Sequence, residues 1–483
     1  MVPLPPIGRQ KVLVNALIYE TGHNLCLNIL ATDERRSSPM SQQPEENNDA
    51  IADYVRRAEH NTARVPSIPE GIAFSPIKTA AVIGAGTMGS GIATNFLNAG
   101  VSVTLVDTNS EALSRGLATI ERNLQGAVKR GLITEELAGQ RRALVKGAPR
   151  IEDVSGVEIV IEAIFENLAL KRQVFEQLGR HTASSTILAT NTSTLDLNEI
   201  VAASGRPEKG VGLHFFSPAH VMKLLEIVRG RETSSETVAA CLDLAHRMRK
   251  TGVVVGVGFG FVGNKMLLDG YFREVELMLL EGCSPADIDR AMTSFGFAMG
   301  PCAVSDMAGV DIAYLIRKEL FQKETRPDPY LVVSDALGEL GRNGMKSQKG
   351  FYRYDPSDRT PHPDAEVDAL CEKLAADRGI MRRTFTEEEI VERCVLQLVN
   401  IGIQLIDGGL AARPSDIDAI WLNGYGFPRR RGGPMYYADD LGLPKVLERI
   451  ETYHSRIGEV WRPSPLLKRL VGERRDLNSL NIA

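Results

Sequence analysis

Residues 79–107 read TAAVIGAGTMGSGIATNFLNAGVSVTLVD. A β-prone run breaks into Gly84-Ala85-Gly86-Thr87-Met88-Gly89, continues as the helical stretch GIATNFLNAG, and closes in a second apolar run ending at Asp107. A strand, a glycine turn, a helix and a second strand with a terminal acid is the order a dinucleotide site requires. Gly84 allows the tight turn, Gly86 lets the backbone approach a pyrophosphate, and Gly89 lets the helix pack on the sheet. The helix start, with Thr87 and Met88, offers free N–H groups and a positive dipole end to phosphates. A carboxylate at Asp107 would accept from ribose hydroxyls and repel a 2′-phosphate, which favours NAD over NADP. The glycine motif alone would also admit FAD.

Outward from this stretch, EIVIEAIFE, TILATNTS and GVGLHFF are further short β-branched runs, several of them separated by helical patterns. The alternation predicts an α/β class with a Rossmann-like, doubly wound parallel sheet over 76–257. After about residue 258 the strands stop. Helices are expected over 262–281, 285–293, 310–322, 388–407 and 443–453. An ordered set of signals occurs twice in this helical half: DID at 287–289 and 416–418, GF at 296–297 and 426–427, GP at 300–301 and 433–434. The reading is an all-α domain in two tandem copies, 258–355 and 388–475, joined by a linker over 356–387 and followed by a tail over 476–483. Residues 1–75 form an N-terminal extension. RRSSPMSQQPEENND (35–49) is expected to be disordered, a short helix over 50–60 follows, and VPSIPEG (65–71) is a linker.

The chain has 483 residues, 43% of them apolar and 24% charged, enough to bury more than one core. A net charge of −5 shows no basic excess for nucleic acid or anionic lipid. Six scattered cysteines without a CxxC pair suggest neither a zinc site nor a disulfide framework, and no metal is expected. No apolar run is long enough to span a bilayer. A cytoplasmic location is expected, with a peroxisomal or mitochondrial one as the alternative.

HFFSPAHVMKLLEIV (214–228) carries His214 and, twelve residues on, Glu226. A hydroxyl gives up hydride only if its proton is removed, and a histidine suits that task. A carboxylate on the other ring nitrogen would fix the tautomer and stabilise the imidazolium. Spacing does not bring the two together; read plainly, they are a histidine at a strand end and a glutamate on a strand edge.

GAGTMGSGIA, VIEAIFENLALKRQVF, TNTSTL, HFFSPAHVMKLLEI and GFVGNKM, in that order, resemble the L-3-hydroxyacyl-CoA dehydrogenase family over roughly residues 50–475. SDIDAIWLNGYGFPRRRGGPMYYAD (415–439) is similar to the C-terminal part of multifunctional fatty-acid oxidation enzymes. Their crotonase part has no counterpart in this sequence, so hydratase or isomerase activity is not expected. The resemblance implies an NAD-dependent oxidation of 3-hydroxyacyl-CoA to 3-ketoacyl-CoA in β-oxidation. It makes His214 the base and Glu226 its partner, with Ser193 and Asn264 bonding the reacting oxygen. It places Glu166 and Lys171 around the nicotinamide ribose and Lys349 at a further cofactor contact. Arg130 and Asn123 would meet CoA; Arg130 stands where the family has a lysine, and Asn123 where single-function members have a serine. Aligned on the first copy, Arg393 falls opposite Asn264, so the second copy reads as structural. In single-function relatives the helical domain forms the dimer interface, which the second copy could cover within one chain, giving a monomer. A hydratase or thiolase partner chain would supply neighbouring steps. Two alternatives remain on sequence: a dehydrogenase of a small hydroxy acid without CoA, and a non-catalytic NAD-binding remnant.

Overall fold

The computed structural model describes residues 45–320, 330–357 and 359–481. These fall into two units, one of residues 267–398 and one combining 43–266 with 399–483.

The second of these units holds an eight-stranded sheet. Its strands are β1 (Thr79–Ile83), β2 (Ser102–Val106), β3 (Val145–Ala148), β4 (Ile159–Glu162), β5 (Ile187–Thr190), β6 (Gly210–Phe215), β7 (Leu224–Val228) and β8 (Thr251–Val255). Their order is β3-β2-β1-β4-β5-β6-β7-β8, so the order reverses between β1 and β4. In such sheets ligands bind beyond the carboxyl ends of the strands at the reversal. The strands are apolar on both faces, as a sheet covered by helices on each side demands; Val82, Leu105, Ile161, Leu188 and Leu213 are fully buried.

The sheet is parallel from β3 through β6. β7 then runs antiparallel to β6, and β8 parallel to β7. The parallel expectation misses this reversal, as it misses β3 and β8. The link from Phe215 to Leu224 is too short for a crossover helix, so the chain can only double back.

Helix Glu45–Asn61 buries Ile51, Tyr54, Val55 and Ala58 against Leu422 and Tyr436 of the later chain. It begins inside the stretch expected to be disordered. Residues 35–44 lie outside the described ones. The later chain contributes helices Pro414–Gly424, Pro434–Leu441, Leu443–Ile457 and Pro465–Glu473. Proline sits in the first turn of each, where its missing N–H costs nothing.

The described part of the unit of residues 267–398 is built mainly of helices, among them Arg273–Leu280, Pro285–Phe295, Pro301–Ala308, Val310–Leu320, Val332–Glu339 and Ala365–Ala376. Two departures from expectation occur. A two-stranded antiparallel pair, Arg353–Tyr354 with Pro361–His362, follows the point where strands were expected to stop. The stretch 356–387, expected as linker, carries the helix Ala365–Ala376 and buries Val367, Cys371 and Ala375. The long helix Glu387–Asp407 follows. Cys241, Cys283, Cys302, Cys371 and Cys394 are free and buried.

Candidate active site

The glycine turn follows β1 at the reversal. Gly84 has φ of 103°, a left-handed conformation, and a Cβ there would stand 2.7 Å from the carbonyl of Ala163 beyond β4. A Cβ on Gly89 would stand 1.8 Å from the Gly84 carbonyl, so the helix can begin this close to the turn only with glycine. Gly86 is different: a Cβ there meets nothing within 4 Å, and its backbone faces open space. Gly86 caps helix Thr87–Asn98 without a side-chain hydrogen bond, and its first turn carries no acid. An uncapped helix start behind an open glycine fits a pyrophosphate. Asp107 is fixed beside it, its Oδ2 accepting from the Ala85 N–H at 3.0 Å and its Oδ1 from the Asn109 N–H at 2.9 Å.

Beyond β4 and β5 lies a carboxylate cluster. Lys171, fully buried, donates to Glu162 Oε1 at 2.7 Å and stands 3.3 Å from Glu166 Oε2. Glu162 also accepts from the Ile164 N–H and the Thr190 hydroxyl. Glu166 Oε1 accepts from Thr192 Oγ1 at 2.6 Å and the Ser193 N–H at 2.9 Å, and lies 3.4 Å from Ser193 Oγ. Burial pushes the Glu166 carboxyl up, but Lys171 and these donors outweigh it and hold it below the usual range. The structure thus joins Glu166, Lys171 and Ser193 in one network, with Lys171 enclosed by two carboxylates. Glu162 was missed on sequence; the signal was a single acid inside the apolar run IVIEAI.

His214 and Glu226 are direct cross-strand partners in the antiparallel pair of β6 and β7. Opposed residues point to the same face, and His214 Nδ1 lies 2.7 Å from Glu226 Oε2. Both side chains are buried, Glu226 completely. The second carboxylate oxygen accepts from the Gly263 N–H at 2.9 Å, which fixes the start of the turn Gly263–Lys265. Asn264 is therefore anchored through Glu226. Because β1, β4, β5 and β6 are parallel neighbours, the glycine turn, Glu166, Ser193 and His214 all lie at the carboxyl edge of one sheet. Asn191 ties the last two together, its Oδ1 accepting from the Phe215 N–H at 2.9 Å.

Three expected residues take no part in these hydrogen bonds. Asn123 donates from Nδ2 to Thr94 Oγ1 at 3.2 Å, pairing helices Ser110–Lys129 and Thr87–Asn98. Arg130 is exposed at the C-terminal cap of Ser110–Lys129. Lys349 belongs to the unit of residues 267–398, where its Nζ lies 3.7 Å from Glu366 Oε2.

One residue of the site comes from the helical copy read as structural. Tyr425, at the end of helix Pro414–Gly424, donates its hydroxyl to Asn264 Oδ1 at 2.8 Å. Its ring stacks on Trp421 at 4.8 Å and meets Phe216 edge-on at 5.5 Å. Burial, reinforced by the nearby Glu226 carboxylate, holds the Tyr425 hydroxyl well above the usual phenol range, so it keeps its proton.

Comparison with known proteins shows the family. Residues 79–257 match a family described as 3-hydroxyacyl-CoA dehydrogenase, NAD binding domain. Residues 260–354 and 390–476 both match the 3-hydroxyacyl-CoA dehydrogenase, C-terminal domain. The chain is 41% identical over 429 residues to the peroxisomal bifunctional enzyme of Danio rerio, covering 85% of this chain but only 59% of that protein's length. It resembles the dehydrogenase part of multifunctional enzyme 1 from C. elegans with a TM-score of 0.63 and 28% identity, over 88% of this chain and 98% of that one. It also resembles 3-hydroxybutyryl-CoA dehydrogenase from Escherichia coli K12 with a TM-score of 0.70 and 26% identity, over 82% of this chain and 98% of that one.

Proposed function

This chain belongs to the 3-hydroxyacyl-CoA dehydrogenase family, and from that premise we propose that it oxidises the hydroxyl of a 3-hydroxyacyl-CoA to the 3-ketoacyl-CoA with NAD. One observation carries the chemistry: the His214–Glu226 pair, 2.7 Å apart and buried, at the same sheet edge as the glycine turn. With Nδ1–H donated to Glu226, the free Nε2 lone pair is left to take the hydroxyl proton. Glu226 does not exchange that proton; it fixes the tautomer and stabilises the imidazolium. Ser193 and the Asn264 amide donate to the reacting oxygen and stabilise charge on it in either direction. Glu166, held by Lys171, supports Ser193 and the nicotinamide ribose; Asp107 takes the adenine-side ribose. NAD, when bound, accepts the hydride from C3.

Arg130, exposed beyond its helix, is the residue we assign to a CoA phosphate. Asn123 would join it only by releasing Thr94. The names of the relatives, peroxisomal and glyoxysomal, favour a peroxisome-type compartment over the cytoplasmic expectation. Those relatives are bifunctional or multifunctional enzymes, so a hydratase or thiolase acting beside this chain completes the reading. No helix among the described residues is long and apolar enough to cross a membrane.

The test is NADH oxidation with acetoacetyl-CoA, run beside a panel of small hydroxy acids with NAD. His214→Ala should bind NADH as the wild type does and lose turnover by roughly 10²–10⁴-fold. Turnover of the hydroxy acids alone would redirect the substrate; an active His214→Ala would remove the base.

A further inference from the structure

Resting on the reading above, we propose that Tyr425 is a positioning residue for the dehydrogenase reaction: it fixes the Asn264 side chain so that the amide nitrogen, not the carbonyl, faces the substrate oxygen.

A primary amide presents one acceptor and one double donor that nearly superimpose when the group turns over. Only the donor end polarises a carbonyl or steadies an alkoxide. In the turned-over state Asn264 would offer a lone pair to a developing negative charge. Tyr425 removes that choice. Its hydroxyl keeps its proton and donates to Asn264 Oδ1 at 2.8 Å, so the Nδ2 protons are left for the reacting oxygen.

Three observations show that this hydrogen bond is built. The tyrosine ring is locked by Trp421 at 4.8 Å and Phe216 at 5.5 Å, so the hydroxyl cannot swing away. Gly263, next to Asn264, makes the approach possible: a Cβ there would lie 2.4 Å from the Tyr425 oxygen. The first helical copy has Phe295 immediately before Gly296-Phe297, where the second has Tyr425 before Gly426-Phe427. The second copy carries a hydroxyl at this position and uses it on Asn264.

The variant to make is Tyr425→Phe, which keeps the ring and its stacking. With NADH and acetoacetyl-CoA, kcat should fall about 10- to 100-fold, the range expected for losing one hydrogen bond that orients a transition-state donor. KM and NADH affinity should stay within about twofold. In the Asn264→Ala background the same change should cost less than about twofold, because the two residues act as a unit. In a chain labelled with ¹⁵N-asparagine, the Asn264 amide resonance, assigned by its loss in Asn264→Ala, should move in Tyr425→Phe without cofactor or substrate. Unchanged kcat, an unmoved resonance, or losses that multiply in the double variant would each overturn the proposal. A wild-type chain inactive on acetoacetyl-CoA would sink the dehydrogenase reading as well. An active wild type with an indifferent Tyr425→Phe would sink this one alone.

Discussion

The two helical copies build the same device from the same letters and finish it with different parts. In the first, Asp289 of the DID signal accepts from the N–H groups of Cys302 and Ala303, just after the proline of GP. In the second, Asp418 accepts from the N–H groups of Met435 and Tyr436, again just after the proline. A Cβ on Gly300 would lie 2.2 Å from Asp289, and one on Gly433 2.4 Å from Asp418. The recurring signals therefore specify a buried carboxylate capping a proline-led helix, with glycine to let it close. A second carboxylate recurs too. Asp306 holds the N–H groups of Phe351 and Tyr352, and Asp439 those of Leu477 and Asn478. The difference is the third donor. Asp289 takes its own from Tyr352 within the same unit, while Asp418 takes it from Tyr54, 364 residues upstream. The second copy is completed by the helix before the nucleotide domain, and it sends Tyr425 to Asn264.

The strongest way to break the comparison lies in what occupies the asparagine position. Arg393, aligned with Asn264, is fully buried, pairing with Glu274 at 2.8 Å and Glu281 at 2.9 Å. Arg393→Met should destabilise by about 3–5 kcal/mol in urea unfolding, because it takes the paired guanidinium away from the fully buried Glu274 carboxylate. A milder loss would mean that Glu274 reaches water or another cation.

Replacing the carboxylates should come next. Asp289→Ala and Asp418→Ala each leave two helix N–H groups and a tyrosine hydroxyl without their acceptor, a cost of about 2–4 kcal/mol. The two should differ in what loosens. Proteolysis or hydrogen exchange should find helix Glu45–Asn61 released in Asp418→Ala and protected in Asp289→Ala. Equal protection in both would mean that the apolar face of that helix alone keeps it docked.

These contrasts also mark what the sequence could tell. The glycine turn, Asp107 and the DID-GF-GP repeat were legible because each needs particular residues at fixed offsets, and strands β1, β2, β4, β5 and β6 because their β-branched runs stand out. The His214–Glu226 pairing was legible only through the family resemblance; spacing could not show that the strands run antiparallel and in register. Strand β3 (VKGA) is too short and too weakly β-prone to stand out, and β8 (TGVVV) was overlooked although its valines are explicit. Tyr54 and Tyr425 were illegible for a different reason. Each acts on a residue more than a hundred positions away, and no local period encodes such a meeting.

Removing only the third donor isolates the long-range link. Tyr54→Phe deletes a 2.6 Å hydrogen bond and keeps the ring against Tyr436. It should cost about 1–2 kcal/mol, and Tyr352→Phe a similar amount at its 2.9 Å bond. A neutral Tyr54→Phe would mean that the two backbone donors suffice for Asp418.

The smallest effect is the pH slope, and it reads the burial of these carboxylates directly. Burial pushes Asp418 up to about 7, and Asp289, Asp306 and Asp439 up to about 6. An acid whose folded pKa is raised binds more protons folded than unfolded, so its contribution is complete at low pH and lost as pH climbs towards the folded value. Between pH 5 and 7 this should make stability fall as pH rises. Asp418 should supply on the order of 1 kcal/mol per pH unit of that fall. Lys250 acts in the opposite sense, beginning near the top of that window and mainly above it. Burial lowers it to about 7, so its folded form sheds a proton that the unfolded chain keeps. Asp418→Asn replaces the protonated carboxyl with a neutral side chain of the same shape. Because its Nδ2 faces a donor that a carboxylate oxygen would accept from, its unfolding midpoint should lie below the wild type near pH 5, and the gap should narrow progressively towards pH 7 as the wild type loses stability. Parallel curves would mean that Tyr54 and the two N–H donors hold Asp418 ionised across the range, making the second copy's carboxylate an anion where the first copy's is part-protonated.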